Sequence, residues 1–389
     1  MRLYNLTLEE PTKNRRLAIL LLLLVAGRVV MALVVGDIGD DPYITYRYAD
    51  NLAGGDGLVF NHGERVQGFS SPLYTLLMSA SSFVFGSQTT PVLSTLVSLL
   101  FDSISLLLLW RLLSPLADFG RFLACSLFAL YPKVVLIGIS GMEVSLVVTL
   151  MLLSLYLLES GRIRGMFVVF GLLLLCRIDS VVWIGVLLAW SVANKSPLSV
   201  RDFLVPTVLY GTWLLFSFLY YGSLIPHTII AKSVSWHHMF PMFDPVRILL
   251  GYFPFHGLRG ISSTWGILAV SLFLIPVLVE LNRLARSREM LVIAPVFFVL
   301  YNLAFSFGRV LMFDWYYLPG YVAYFITLGT LTDWLIRKSR FYSYKTEVWL
   351  RAESLVTIAL ILLTLFGVHR WGQEIPERSF RGTRSSGNG

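Results

Sequence analysis

Residues 17–35 read LAILLLLLVAGRVVMALVV, and this stretch decides the class of fold. A helix needs about 20 mostly apolar residues to cross the hydrocarbon core of a bilayer. Arg15 and Arg16 precede the run, and no small-residue cleavage site fits between it and Asp40. We therefore interpret the segment as a retained membrane anchor and not as a signal peptide.

The composition extends this interpretation to the whole chain of 389 residues. Hydrophobic residues make up 56% of it, charged residues only 14%, and the mean hydropathy is +0.72. Soluble domains carry about 25% charged residues. The numbers therefore predict an all-α polytopic membrane protein with about eleven transmembrane helices. Further spans are predicted at 89–112, 121–138, 142–158, 165–176, 179–193, 203–221, 263–283, 290–307, 317–337 and 352–370.

The short loops predict the orientation, because Lys and Arg accumulate on the cytoplasmic side of membrane proteins. Arg15 and Arg16 place the N-terminus in the cytoplasm, and an odd number of spans places the C-terminal tail outside. The basic residues expected on the cytoplasmic side are Arg15, Arg16, Arg162, Arg164, Arg283, Arg286, Arg288, Arg337, Lys338, Arg340 and Lys345. The net charge of +8 follows largely from this topology, so we predict no nucleic-acid partner.

The domain organisation is predicted to be simple, with one transmembrane domain at 1–371 and a flexible tail at 372–389. Two connections, at about 36–88 and 222–262, are long and fall on the outer side. The apolar segment 72–85 is too short to span, which suggests interfacial helices in the outer loops. Long ordered loops usually carry function. All six histidines are predicted at this outer side: His62, His227, His237, His238, His256 and His369.

Asp40 and Asp41 are the most informative polar residues, since they follow directly on the first span. Adjacent carboxylates at the membrane boundary suggest a base or a cation ligand. The alternative is a structural role, in which an Asp caps backbone N–H groups at a helix N-terminus. Both roles are compatible if one carboxylate caps and its neighbour acts.

The kind of chemistry follows from two absences: the inner loops have no nucleotide-binding motif, and nucleotide substrates are lacking on the outer side of the membrane. The inner loops contain no GxGxxG, Walker or kinase motif. An enzyme of the outer face needs an activated group on a lipid carrier, such as a polyprenyl-phosphate sugar. Transfer requires a carboxylate base, cations for the leaving phosphate and a groove for the isoprenoid. The candidate cations are Arg177, Lys232 and Arg309, and direct displacement would invert the anomeric centre.

Each candidate has a structural alternative. Arg177 could merely pair with Asp179 at the tip of the broken hairpin 165–193, and Glu143 could cap the helix that follows it. Lys232 and Arg309 could simply extend to the membrane interface. Asp102 inside a span is expected to hydrogen-bond a neighbouring helix.

Two other function classes compete with an enzyme. A secondary transporter or lipid flippase is supported by the broken hairpin and by the intramembrane Asp102. A non-catalytic scaffold for envelope assembly is the third class. Both alternatives predict that Asp40 and Asp41 can be replaced without consequence.

Several segments resemble the GT-C glycosyltransferases, closest to the branch of the mycobacterial terminal arabinofuranosyltransferase. The longest match is the first outer loop, with Asp40-Asp41-Pro42-Tyr43-Ile44-Thr45-Tyr46-Arg47-Tyr48, Gly57-Leu58-Val59-Phe60-Asn61 and Glu64-Arg65-Val66-Gln67-Gly68-Phe69-Ser70-Ser71-Pro72. Shorter matches are Ser140-Gly141-Met142-Glu143, Arg177-Ile178-Asp179, Tyr221–Ser233 and Trp315-Tyr316-Tyr317-Leu318-Pro319. The sequence departs from the pattern at Pro42, Ile178 and His227, where relatives usually carry Ala, Pro and Asn.

The resemblance implies a GT-C-like bundle in the plasma membrane that moves a sugar, such as a pentofuranose, to an envelope glycan, lipid or protein acceptor. It implies catalysis by Asp41, which we favour as the base, with Asp40. Donor phosphate or sugar contacts are assigned to Arg177, Lys232, Arg309, His227, Tyr43 and Arg47. Acceptor or sugar contacts are assigned to Glu64, Glu143, Asp179 and Asp314. If a divalent cation (Mg, Mn or Ca) takes part, Asp40 and Asp41 are the expected ligands.

Overall fold

The computed structural model describes residues 11–36, 39–236, 245–253, 263–287, 289–308, 312–339 and 346–384, and every regular element in these ranges is helical. The α-helices are α1 Pro11–Val35, α2 Asp41–Gly54, α3 Pro72–Phe85, α4 Thr90–Leu112, α5 Asp118–Leu130, α6 Pro132–Gly138, α7 Val144–Glu159, α8 Ile163–Cys176, α9 Val181–Ala193, α10 Leu204–Tyr221, α11 His227–Trp236, α12 Pro245–Leu250, α13 Ser263–Ser287, α14 Ile293–Phe307, α15 Leu318–Lys338 and α16 Thr346–Arg384. The prediction of an all-α polytopic membrane fold is confirmed.

The membrane-spanning helices fall where the hydropathy of the sequence predicts them. Five helices are long and apolar enough to cross a bilayer, namely α1, α4, α10, α14 and α16. The bent pair α5–α6 makes a sixth, and α3, α7, α8 and α9 are shorter apolar helices. Helices α13 and α15 occupy the two remaining predicted positions.

The first and last helices run in the same direction. Arg16 near the start of α1 forms an ion pair of 3.0 Å with Glu353 near the start of α16. At the other end, Gly372 of α16 lies against Val34 of α1. Two parallel terminal spans require an odd number of crossings, which agrees with the predicted topology.

The basic loops gather at one end of the bundle, which we call the Arg16 end. Arg16 also pairs with Asp118 at the start of α5. Asp333 accepts the backbone N–H of Ala117 at 2.7 Å and pairs with Arg337 at 2.9 Å. These contacts tie the ends of α1, α5, α15 and α16 together, as a shared cytoplasmic boundary would require.

The third predicted span, at 121–138, contains a break that the sequence analysis did not predict. Pro132 has no N–H and separates α5 from α6, whose axes differ by 53°. The break frees carbonyl groups inside the bundle, and side chains replace the lost donors. Arg28 donates to the carbonyl of Ala129 at 3.1 Å, and Thr364 donates to that of Leu130.

The intramembrane carboxylate of Asp102 belongs to the same arrangement. Arg28 of α1 donates its Nε–H to Asp102 of α4 at 2.6 Å, and both side chains are buried. This confirms that Asp102 hydrogen-bonds a neighbouring helix. The neighbouring Gly138 leaves the necessary room, because a Cβ there would lie 2.6 Å from the Asp102 carboxylate.

The broken hairpin exists as predicted. Helix α8 ends at Cys176, Arg177 is extended (φ −157°, ψ 127°), and a single 3-10 turn leads into α9 at Val181. Helix α8 packs on α7 and α10, whereas α9 packs on α14. Because their neighbours differ, the two helices diverge from the tip at Arg177.

The first outer connection contains α2 and α3 and rests on the end of α10. Phe69 contacts Tyr48 edge to face at 4.8 Å and lies 5.9 Å from Trp213 of α10. Tyr221 closes the contact by donating to the carbonyl of Leu58 at 2.7 Å. The loop is therefore an ordered platform over the bundle.

The predicted boundary of a tail at residue 372 lies inside α16, which continues to Arg384. The sequence places Glu374 four residues before Arg378, and Glu377 four before Arg381. Opposite charges at this spacing favour a helix.

Candidate active site

The acid pair stands at the start of α2, at the end of the bundle opposite Arg16. Asp40 occupies the N-cap position and Asp41 begins the helix. The Asp40 side chain makes no capping hydrogen bond and is exposed; only its backbone carbonyl accepts the N–H of Tyr43, at 3.1 Å. The interpretation of Asp40 as a side-chain cap is therefore wrong, because Tyr43 closes this turn through the backbone. The Asp40 carboxylate faces solvent, and that of Asp41 is half-buried.

A cavity of about 210 Å³ opens beside this pair. Pro42, Tyr43 and Tyr46 of α2 line it on one side, and Ser140 and Gly141 line it on the other. Tyr43 is exposed and meets the Tyr46 ring edge to face at 5.3 Å. The structure thus places the predicted site residue Tyr43 at a cavity next to the predicted base.

Gly141 allows α2 to approach the bundle. Its φ is +68°, and its carbonyl accepts hydrogen bonds from Tyr74 at 3.0 Å and Tyr46 at 3.3 Å. The Tyr46 hydroxyl also hydrogen-bonds Ser94 of α4. A Cβ at position 141 would lie 2.0 Å from the Tyr46 oxygen, so only glycine fits. Burial raises the pKa of Tyr74 well above its usual value, which keeps its hydroxyl a donor.

Three predicted site residues meet at the hairpin tip. Arg177 donates its Nη1–H to Glu143 at 2.7 Å, and its Nε and Nη2 groups donate to Asp179, each at 2.9 Å. The guanidinium also lies over the Tyr316 ring at 4.3 Å. Tyr301 donates to Asp179 at 3.3 Å. Glu143 precedes α7 but makes no capping bond, so its capping alternative is wrong; its charge is directed to Arg177 instead.

The electrostatics of this cluster differ from those of a free cation. Two carboxylates face one guanidinium, so the group as a whole is negative. Burial alone would lower the pKa of Arg177, but the carboxylates of Asp179 and Glu143 raise it well above its usual value. The arrangement suits hydrogen bonds to neutral hydroxyl groups better than it suits a phosphate. The alternative that Arg177 pairs with Asp179 is confirmed, while its predicted contact with a donor remains a prediction.

A second buried cation, Lys133 of α6, holds the predicted residue Asp314. Its ammonium group is 2.7 Å from the Asp314 carboxylate and 2.7 Å from the carbonyl of Gly251, and it lies over the Tyr317 ring. The Asp314 side chain remains 54% exposed, so it can still meet a ligand. Lys133 thereby fixes the segment after α12 on the bundle.

His227 joins the two outer connections. Its backbone N–H donates to the carbonyl of Gln67 at 3.0 Å, and its Nδ1 accepts the N–H of Gln67 at 3.2 Å. Gln67 is fully buried and also accepts the hydroxyl of Ser217. An Asn side chain also carries an acceptor oxygen, so it could accept the same N–H at this position. The contacts of His227 are structural, and its predicted role at the donor remains a prediction.

The other predicted residues lie apart from these clusters. Arg47 is exposed and donates to the carbonyl of Phe60 at 3.2 Å; Glu64 is exposed and accepts from Asn61. The backbone of Lys232 is part of α11, but its side chain lies outside the described residues, as does all of Arg309.

Sequence reasoning did not assign roles to Tyr46, Lys133 and Arg65. Lys133 lies inside a predicted span, and a charge in a span was itself the missed signal. The guanidinium of Arg65 lies 4.7 Å from the Tyr220 ring centre at the end of α10, with no carboxylate in ion-pair distance among the described residues. Only the three-dimensional contacts show that Arg177 pairs with carboxylates whereas Arg65 lies against an aromatic ring.

No group of three His, Cys, Asp or Glu side chains in the described ranges could hold a metal ion. Two carboxylates can hold Mg²⁺ when waters and a substrate phosphate complete its shell, so the role of Asp40 and Asp41 as cation ligands stays a prediction.

Together, the helical bundle and the polar site at one of its ends describe an all-α polytopic membrane protein with an ArnT-like fold. Its fold is similar to ArnT from Cupriavidus metallidurans bound to undecaprenyl phosphate (TM-score 0.59) and to the same protein in the apo state (TM-score 0.55). In both cases the sequence identity is 12%, and the match covers 91% of this chain and 73% of that chain. No protein-family model and no curated protein matches the sequence. The predicted all-α polytopic membrane architecture is confirmed, whereas membership of the GT-C glycosyltransferases and of the arabinofuranosyltransferase branch stays a prediction.

Proposed function

We propose that this protein is an inverting glycosyltransferase that moves a sugar from a polyprenyl-phosphate donor to a cell-envelope acceptor. The observation that carries the proposal is the position of the acid pair beside the α2 cavity, at the end of the bundle where Glu143, Arg177, Asp179 and Asp314 also lie. The similarity to a protein solved with undecaprenyl phosphate supports the donor class. The plasma membrane, with this end outside, is the location proposed.

The transfer needs one base and one leaving group. Asp41 accepts the proton of the acceptor hydroxyl while the acceptor oxygen attacks the anomeric carbon of the donor. The bond from that carbon to the phosphate oxygen breaks, and the polyprenyl phosphate leaves with the electron pair. One displacement inverts the anomeric centre. Asp40, one residue away and exposed, is the second acid of the pair and acts beside Asp41.

The donor is proposed to reach the site along α10. A cavity of about 340 Å³ lies between α8, α9 and α10, with a lining that is apolar apart from Thr207 and Tyr210. Such a lining suits an isoprenoid, which has no polar group. The loop that carries Arg65 rests on the end of α10, and Arg47 lies on the same platform. These two cations are proposed to meet the donor phosphate, with Lys232 and Arg309 as further candidates.

The sugar is proposed to lie between the acid pair and the hairpin tip. Its hydroxyls can hydrogen-bond the carboxylates of Glu143, Asp179 and Asp314, which Arg177 and Lys133 hold in place. A pentofuranose such as arabinose is the proposed sugar, on the resemblance of the first outer loop alone.

The test is transfer by the purified protein in nanodiscs, with a panel of radiolabelled prenyl-phosphate sugars and envelope acceptors. Loss of a general base lowers rates by roughly 10²–10⁴-fold, so Asp41→Asn should abolish detectable product. Asp56→Asn is the matched control, because Asp56 is an exposed acid of the same connection. Anomeric configuration of the product, read by NMR, tests inversion. Transfer that survives both Asp40→Asn and Asp41→Asn would refute the assignment of the acid pair to catalysis.

A further inference from the structure

A second groove, distinct from the one along α10, lies between α1 and α4. Its volume is about 310 Å³, and it shares Ala32, Val92, Thr95 and Ile139 with the cavity beside Asp41. The two spaces therefore adjoin. Their combined lining runs from Tyr43 of α2 to Arg28 inside the bundle.

The groove opens toward the membrane. Leu33 of α1 is 80% exposed and Val92 of α4 is 64% exposed, and both line it together with Val29 and Leu96. In a bilayer these apolar side chains face hydrocarbon. A chain-bearing molecule can enter sideways from the outer half of the membrane, with its head group beside Asp41.

The inner end of the groove, at Arg28, is polar, and an isoprenoid chain has no polar group that would bind there. Arg28 lies seven residues before the end of α1, roughly 10 Å along the helix axis. Its Nε and Nη1 groups are bound by Asp102 and by the carbonyl of Ala129, but its buried Nη2 has no acceptor among the described residues. A buried donor without a partner is costly, and an oxygen of a ligand would satisfy it.

We propose that the α1–α4 groove binds the acceptor and that the acceptor is an acyl lipid. Its chains are joined through ester or amide carbonyls, one of which accepts a hydrogen bond from Arg28. Its head group presents a hydroxyl to Asp41. The assignment as acceptor rests on the proposed glycosyl transfer, whereas the lipid site itself does not. The carbonyl distinguishes this occupant from a polyprenyl chain, which has no atom to pair with Arg28.

The experiment measures lipid binding by native mass spectrometry of the purified full chain. The probes are a diester phosphatidylglycerol, its diether analogue, which lacks the carbonyls, and undecaprenyl phosphate. Val92→Trp fills the groove from an exposed position and leaves the buried ion pair intact. Leu107→Trp is the matched control, since Leu107 is an exposed residue of the same helix outside the groove.

We expect the wild-type protein to bind the diester about tenfold more tightly than the diether, because one hydrogen bond to a charged group is lost. Val92→Trp should weaken the diester by about tenfold or more and leave undecaprenyl phosphate unchanged. Leu107→Trp should change neither. Equal binding of diester and diether, or diester binding insensitive to Val92→Trp, would overturn the proposal.

The remaining outcomes separate this site from the proposed reaction. If Val92→Trp removes undecaprenyl phosphate instead, the groove holds the donor chain and the acceptor assignment is wrong. If no sugar is transferred but the diester still binds in a manner sensitive to Val92→Trp, the reaction fails and the acyl-lipid site stands.

Discussion

Replacing Gly141 by alanine should uncouple α2 from the bundle. The new Cβ would lie 2.0 Å from the Tyr46 oxygen, so the tyrosine must leave its hydrogen bonds to Ser94 and to the Gly141 carbonyl. Two such bonds contribute roughly 1–3 kcal/mol. The positive φ of +68° adds about 1–2 kcal/mol for any residue with a Cβ. We expect the free energy of unfolding to fall by about 2–5 kcal/mol.

The assay is a double-mutant cycle on SDS-induced unfolding, followed by tryptophan fluorescence. In the Tyr46→Phe background the clashing oxygen is gone, so Gly141→Ala should cost only the backbone contribution of about 1–2 kcal/mol. The predicted coupling is therefore about 1–3 kcal/mol. Transfer activity should fall with Gly141→Ala, because Asp41 is carried by the same helix. If the costs of the two single substitutions add to that of the double mutant within about 0.5 kcal/mol, the contact with Tyr46 is not the reason why position 141 is a glycine.

Three further predictions concern the rest of the site. Arg177→Met leaves the carboxylates of Glu143 and Asp179 without their cation and should cost about 3–5 kcal/mol of unfolding free energy, whereas Glu143→Gln keeps a hydrogen bond and should cost about 1–3 kcal/mol; equal costs by SDS unfolding would contradict the charge argument. His227→Asn should retain the acceptor for the Gln67 N–H and nearly wild-type activity, while His227→Leu should lower both activity and protease resistance of the outer connections; a fully active His227→Leu would show that this link is dispensable. Chelation by EDTA with readdition of Mg²⁺, Mn²⁺ or Ca²⁺ tests whether Asp40 and Asp41 hold a cation together with the donor phosphate; if they do, transfer is lost with the chelator and restored by one of the ions, and transfer that persists in EDTA would contradict their role as cation ligands.

Much of the fold could be predicted because hydropathy is a local property. The apolar runs predicted the positions of α1, α4, α7 to α10 and α13 to α16, and the break at Arg177 followed from two charges within an apolar stretch. The break at Pro132 was missed. Proline within a span is tolerated only when other groups replace the lost bonds, and the replacements come from Arg28 and Thr364, both remote in sequence.

The candidate site was likewise predictable in one part and not in another. Asp40, Asp41 and Tyr43 could be identified because they are neighbours in the chain at a membrane boundary, and their catalytic roles await the transfer assay. The cluster of Glu143, Arg177 and Asp179 could be predicted only in part. All three residues were candidates, but the sequence predicted only the pairing of Arg177 with Asp179, because Glu143 is 34 residues away from Arg177 in the chain.

The sequence by itself determined the class of protein: an all-α bundle, its basic loops at one end and an acid pair after the first span. These features depend only on residues that are neighbours in the chain, so the sequence is enough to predict them. Only the tertiary structure decided which charges are neutralised. Arg177 lies between two carboxylates, Lys133 holds Asp314, and Arg65 rests on an aromatic ring without a carboxylate among the described residues. The physical reason is that an ion pair depends on distances of a few ångströms between remote segments, and packing alone sets those distances.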